Sequence, residues 1–257
     1  LDQLHRDFAD PRQANALQAN RDGIEQTEHQ AGAEGRKRPP LAEDDRRQRD
    51  EALPCRHVAA EAGILRDRMM ANMSEAEWDA VIKVHLKGTF APSHFAAAYW
   101  RDQSKAGKPV DGRIINTTSV SGLYGNPGQS NYGAAKAGIA TFTLIAAEEL
   151  ARYGVTCNAV APGALTRLTE DLGLPPEMLE RFGPEWVAPV IAWLASSQSS
   201  DVTGQVIESN GSLLGIAQGW IRGPHVTNPP LDPHEMDAVI RGLLAKATPR
   251  TKMSDIN

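Results

Sequence analysis

Ile114-Ile115-Asn116-Thr117-Thr118-Ser119-Val120-Ser121-Gly122 passes from an apolar run into a small polar turn, and Gln129-Ser130-Asn131-Tyr132-Gly133-Ala134-Ala135-Lys136 follows a few residues later. Arg113 to Thr118 reads as a buried strand. Ser130 to Tyr153 reads as a long helix with Ala135, Ile139, Phe142, Ala146 and Leu150 turned inward. Tyr132 and Lys136 stand at i and i+4, so they share one helix face. An ammonium held near a phenol favours the phenolate and draws a pKa of about 10 toward neutrality. A phenol tuned in that way exchanges a proton with an alcohol or carbonyl oxygen. Ser119, 13 residues ahead of the tyrosine, is the nearby hydroxyl.

Outward from this stretch the pattern alternates. Ser74 caps a helix with Glu77 as its capping-box partner, and Trp78, Val81, Ile82 and Leu86 form its apolar stripe. Pro92 is expected to kink or restart that helix. Val155 to Val160 reads as the next strand, closed by Ala161-Pro162-Gly163. Pro184 to Ala195 reads as a helix whose first turn is compromised by Pro189, and Gln205 to Glu208 as a last short strand. A polar tail beyond Gly215 holds one more helix, Pro233 to Ala245. Strand and helix in alternation give an α/β class with a parallel sheet covered on both faces.

Residues 1–61 are unlike the rest. Their large apolar residues are few, and between them stand Arg36-Lys37-Arg38 and the mixed-charge run Glu43 to Glu51. No period of 2 or 3.6 persists, so the segment reads as disordered or as marginal polar helix, with order starting at Ala62-Gly63-Ile64-Leu65. The division expected is 1–61 atypical, 62–223 catalytic and 224–257 extension. The chain of 257 residues is 41% hydrophobic with net charge -5, which argues against a general nucleic-acid binder. Two cysteines are too few for a disulfide framework and point to a reducing cytoplasm. No apolar run reaches the roughly 18 residues of a membrane span. No signal peptide is legible and residue 1 is Leu, so a start that is absent or processed is expected. The histidines show no metal-ligand spacing.

The ordered set Ala62-Gly63, Ser119/Tyr132/Lys136 and Asn158-Ala159-Val160-Ala161-Pro162-Gly163 resembles the short-chain dehydrogenase/reductase family. Ser119 to Gln129 is similar to the dehydrogenase unit of multifunctional beta-oxidation enzymes, whose branch includes 17-beta-hydroxysteroid dehydrogenases. The resemblance implies a Rossmann-like, doubly wound parallel sheet and NAD or NADP as cofactor. It implies an oxidoreductase that interconverts a secondary alcohol and a ketone, on a 3-hydroxyacyl thioester or sterol-like substrate. Tyr132 becomes the general acid/base, Ser119 the hydrogen-bond partner of the substrate oxygen, and Lys136 the residue that lowers the tyrosine pKa and holds the ribose. Pro162, Gly163 and Thr166 would flank the nicotinamide, and Ala62 and Gly63 the adenosine side. A homodimer or homotetramer is implied, with the helices at about 75–105 and 130–152 against partner subunits.

Two departures from the family pattern stand out. His85, in Val84-His85-Leu86-Lys87-Gly88, occupies the place where the family often carries a relay asparagine, and an imidazole can also relay a proton. The phosphate-binding glycine loop that should follow a first strand is missing from residues 1–61; Gly32-Ala33-Glu34-Gly35 has no strand before it. The sheet is therefore expected to be incomplete in its N-terminal half, keeping only the Arg113, Val155 and Gln205 strands. Residues 1–61 read as non-native family sequence, from a shifted reading frame or a fusion at Glu61/Ala62. A catalytically impaired remnant, acting at most as an association module, is the alternative function.

Overall fold

The computed structural model describes residues 57–60, 63–163 and 182–256. Their sheet is built from β1 (His57–Ala60), β2 (Gly112–Thr117), β3 (Val155–Pro162), β4 (Val206–Ser209) and β5 (Leu214–Ile216). The order is β1-β2-β3-β4-β5; the first three pairings are parallel and β4–β5 is antiparallel. Register sets Ala60 opposite Asn116, Asn116 opposite Ala159, and Ala161 opposite Glu208.

Consecutive side chains of β2 feed two cores, as the period of a strand requires. Ile114 packs with Trp100, Ala146, Ala147, Leu150, Val155 and Cys157 beneath the helices α2 (Gly88–Lys105) and α3 (Ser130–Leu150). Ile115 faces the other way and packs with Val160, Val187, Leu194 and Ile207 beneath α4 (Ala188–Ala195). A strand buried on both sides has no polar alternation, which is why the apolar run of β2 reads as buried. Each of its large side chains contributes about 1.5–3 kcal/mol by burial. No helix among the described residues is long and apolar enough to cross a membrane.

Helix α1 (Glu75–Ile82) starts as expected: Ser74 accepts from the Glu77 amide and the Glu77 carboxylate accepts from the Ser74 amide. Pro92 does not break α2. The irregularity falls one turn earlier, in a π-helical turn at Lys83–Lys87 that joins α1 to α2 and turns His85 into the interior. The helix expected from Pro184 divides into a 3₁₀ turn at Pro184–Trp186 and α4, with Pro189 tolerated in its first turn. α5 (Met236–Leu244) follows a 3₁₀ turn at Pro233–Glu235.

The strand inventory needs correction. Order begins before Ala62, because His57–Ala60 pairs with β2; four residues are too few to show a period. β5 was also unexpected: a three-residue edge strand after a turn carries little pattern. The strands run in chain order with helices on both faces of a largely parallel sheet, the α/β class expected from the sequence.

Candidate active site

The carboxyl end of β2 delivers Thr117, Thr118 and Ser119 to the flank of α3, where they meet Lys136 and Tyr132. The Lys136 ammonium donates to the Thr117 carbonyl at 2.8 Å, and the Thr118 hydroxyl donates to the Lys136 carbonyl at 2.7 Å. Lys136 is thus held at both ends of its residue and is buried. Its Nζ lies 5.7 Å from the centre of the Tyr132 ring, a cation over an aromatic face. Ser119 is buried, and its hydroxyl oxygen accepts the Ser121 amide at 3.2 Å.

The three residues picked from the sequence therefore converge, but the electrostatics differ from the expectation. Burial raises the Tyr132 pKa above its ordinary value, the Ser119 hydroxyl pulls it down, and Asp67 pushes it up. The largest influence is desolvation of the phenolate, not the lysine.

His85 joins the group. It is 2% exposed, and its ring meets that of Tyr132 edge-on at 5.0 Å between centres. Nε2 sits 2.8 Å from the Ile64 carbonyl and 3.1 Å from the Ile64 amide, while Nδ1 is buried without a hydrogen-bond partner. Burial lowers the pKa, the Ile64 backbone opposes that, and the Lys136 charge adds to it, so the ring is held neutral.

Pro162 ends β3 and Gly163 follows, its amide bound to the Ser209 carbonyl at 2.8 Å, at the same carboxyl edge of the sheet as Ser119. Gly63 is half-buried at the start of the stretch leading to Ile64. Ala62 and Thr166 lie outside the described residues. Sequence reading missed Asn131. It is fully buried, donates to the Arg66 carbonyl at 3.0 Å and the Glu77 carbonyl at 3.3 Å, and accepts the Tyr132 amide at 2.7 Å. It fixes the start of α3, and with it the tyrosine, to α1. An asparagine just inside a helix start is the only local signal of such a role.

The short chain dehydrogenase family model matches residues 54–173. A hydroxyacyl-CoA dehydrogenase from Mycobacterium tuberculosis is 41% identical over 210 residues, covering 77% of this chain and 65% of that protein. A peroxisomal hydratase-dehydrogenase-epimerase from Neurospora crassa is 42% identical over 150 residues, 58% of this chain and 16% of that protein. The crystal structure of a short chain dehydrogenase from Mycobacterium avium superposes with a TM-score of 0.69 at 50% identity, covering 77% of this chain and 66% of that one. The chain belongs to the short-chain dehydrogenase/reductase family. Within it, the chain stands close to the dehydrogenase unit of multifunctional beta-oxidation enzymes. It spans less than two thirds of the length of these relatives. The family match begins at residue 54, ahead of the junction expected at Glu61/Ala62.

The family typically uses NAD(P). The described residues fit one end of it. A phenol, a buried ammonium and the Pro162-Gly163 turn lie along the carboxyl edge of the sheet, the edge at which open α/β sheets bind ligands. The pyrophosphate end has no counterpart among the described residues, which hold neither a glycine loop between strand and helix nor a reversal of strand order.

Proposed function

We propose that the chain is an oxidoreductase interconverting a secondary alcohol and a ketone, with a 3-hydroxyacyl thioester or a sterol-like molecule as substrate. The observation that carries this reading is the Lys136 ammonium over the Tyr132 ring, pinned to the end of the strand that leads directly into Ser119. The hydroxyacyl-CoA names of its relatives support the acyl substrate.

Ser119 donates to the substrate oxygen and steadies the charge that develops there. Tyr132 passes its phenolic proton to that oxygen when a ketone is reduced, and takes the proton back when an alcohol is oxidised. Burial keeps the phenol protonated at neutral pH, which suits the reductive direction. Lys136 orients the tyrosine and, with Pro162 and Gly163, would hold the nicotinamide end of NAD or NADP. Bound there, the cofactor supplies or accepts the hydride. The neutral His85 ring edge-on to Tyr132, with its Nδ1 unpartnered, supports a proton-relay role for this residue.

Exposed Phe90, Phe95 and Tyr99 on α2, with Leu144 and Ile145 on α3, support self-association through these two helices. A reducing compartment suits the buried free thiol of Cys157. The impaired-remnant reading draws on the strand order, which provides no pyrophosphate cradle among the described residues.

Cofactor titration separates the two. Enhanced nicotinamide fluorescence at micromolar NADH or NADPH, with turnover abolished by Tyr132→Phe, is the outcome expected of the enzyme. No binding at millimolar cofactor would leave the remnant. Turnover that survives Tyr132→Phe would refute the assignment of the acid/base.

A further inference from the structure

Glu208 is a charged side chain buried to 7% exposure at the carboxyl end of β4. It projects to the same side of the sheet as Val206, toward α3, and its Oε1 accepts a short hydrogen bond from the phenol of Tyr124. Neither residue touches the reaction as described above. A buried carboxylate with a neutral partner is a poor source of stability, since desolvating the charge costs several kcal/mol. An apolar pair of the same volume would hold the fold at least as well. What such a pair supplies is a single fixed geometry.

The element it fixes is the π-helical turn Ser121–Gly125, which contains Tyr124. That turn also holds Ser119. The Ser121 amide donates to the Ser119 hydroxyl oxygen, and the Gly122 and Leu123 amides donate to the Ser119 carbonyl at 2.9 and 3.1 Å. One side of the turn rests on α3 at Gly122, where an added Cβ would lie 2.6 Å from the Ala137 amide nitrogen. Beyond the turn, the Arg68 amide anchors the Gly128 carbonyl at 2.8 Å. The side facing β4 is tied by Tyr124 and Glu208.

We propose that Tyr124 and Glu208 form a positioning pair that clamps the Ser121–Gly125 turn to β4 and so aims the Ser119 hydroxyl at the Tyr132 phenol and the substrate oxygen. The substrate half of this statement rests on the function proposed above; the hold on Ser119 rests on the amides that the turn directs at its hydroxyl and carbonyl oxygens. Burial and the Glu208 carboxylate push the Tyr124 pKa up to about 12, so the phenol stays a donor throughout the neutral range.

The test uses the full chain labelled with 13Cζ-tyrosine, the Tyr132 resonance being assigned through Tyr132→Phe. Its shift at neutral pH reports the approach of the Ser119 hydroxyl to the phenol without any cofactor or turnover. Tyr124→Phe is expected to move this resonance in the same direction as Ser119→Ala. Glu208→Leu should act like Tyr124→Phe, and Glu208→Gln, which keeps an acceptor oxygen, should lose less. In turnover of a 3-hydroxyacyl-CoA, Tyr124→Phe should lower kcat about tenfold with KM changed by less than about twofold.

A Tyr132 resonance that Ser119→Ala moves and Tyr124→Phe does not would overturn the clamp. So would a Glu208→Gln protein as impaired as Glu208→Leu, or a resonance that Ser119→Ala fails to move. Absence of turnover in every form, with the expected pattern of shifts, would sink the oxidoreductase reading and leave the clamp standing.

Discussion

Gly122→Ala tests the packing that brings the serine turn to α3. A Cβ built at Gly122 would lie 2.6 Å from the Ala137 amide nitrogen and 2.7 Å from both the Lys136 carbonyl carbon and its Cβ. These are two backbone atoms and the root of a side chain, none of them a flexible tip. Restoring contact at about 3.4 Å requires the turn to retreat by about 0.8 Å. Gly122 is not among the left-handed glycines, so conformational strain adds nothing. Overpacking of this kind costs about 1–3 kcal/mol. A catalytic group displaced by about 1 Å loses on the order of 100-fold in rate. The expected result is a lower urea midpoint with an unchanged m-value, and kcat reduced on that scale. Gly107→Ala is the comparison: its φ is +73° with nothing within 4 Å, so it should cost about 1–2 kcal/mol with turnover intact. A Gly122→Ala protein with wild-type midpoint and wild-type kcat would refute the steric argument.

Asn131→Ala should destabilise by about 2–4 kcal/mol in denaturant titration, because it strips partners from the Tyr132 amide and the Arg66 and Glu77 carbonyls. Asn131→Asp should be worse, since it aims carboxylate oxygens at those two carbonyls; equal midpoints for the two variants would contradict this. The folded-state pKa of His85 is below its ordinary 6.5, so the unfolded chain binds its proton first and stability falls as pH drops below 6.5. His85→Gln should flatten that part of the stability–pH curve. Glu77 is depressed to about 2, chiefly by hydrogen bonding from the Ser74 backbone, so its contribution is present above 4.5 and lost as pH falls toward 2. Glu77→Gln should narrow the acid-stability difference from wild type across that window in a pH-jump melt. Finally, Ile145→Lys on the exposed face of α3 should shift sedimentation toward a smaller species; an unchanged sedimentation coefficient would place any association elsewhere.

One-dimensional information runs out at particular residues of this chain. Tyr132 and Lys136 were legible because helix geometry alone puts i and i+4 on one face, and α3 is long enough to make that geometry dependable. Ile114 and Ile115 announced a doubly covered strand, and Ser74 with Glu77 a helix start, from local chemistry only. His57–Ala60 escaped because a four-residue strand is specified by its pairing with β2, not by any period of its own. Asn131, Tyr124 and Glu208 escaped for a related reason. Tyr124 and Glu208 stand 84 positions apart, and a polar residue that bonds across such a separation looks the same in the chain as a solvated one.

The lysine and tyrosine supply a further contrast. Residue order fixes that an ammonium and a phenol are neighbours, and so names the chemistry available. The direction of the tyrosine pKa depends on how much water each group loses, which is a property of the packed interior. Side-chain type and short spacing thus carry the family and the reactive set. Desolvation, the clamping of the serine turn and the strand order arise from contacts between distant segments, and these exist only once the sheet and its helices have closed on one another.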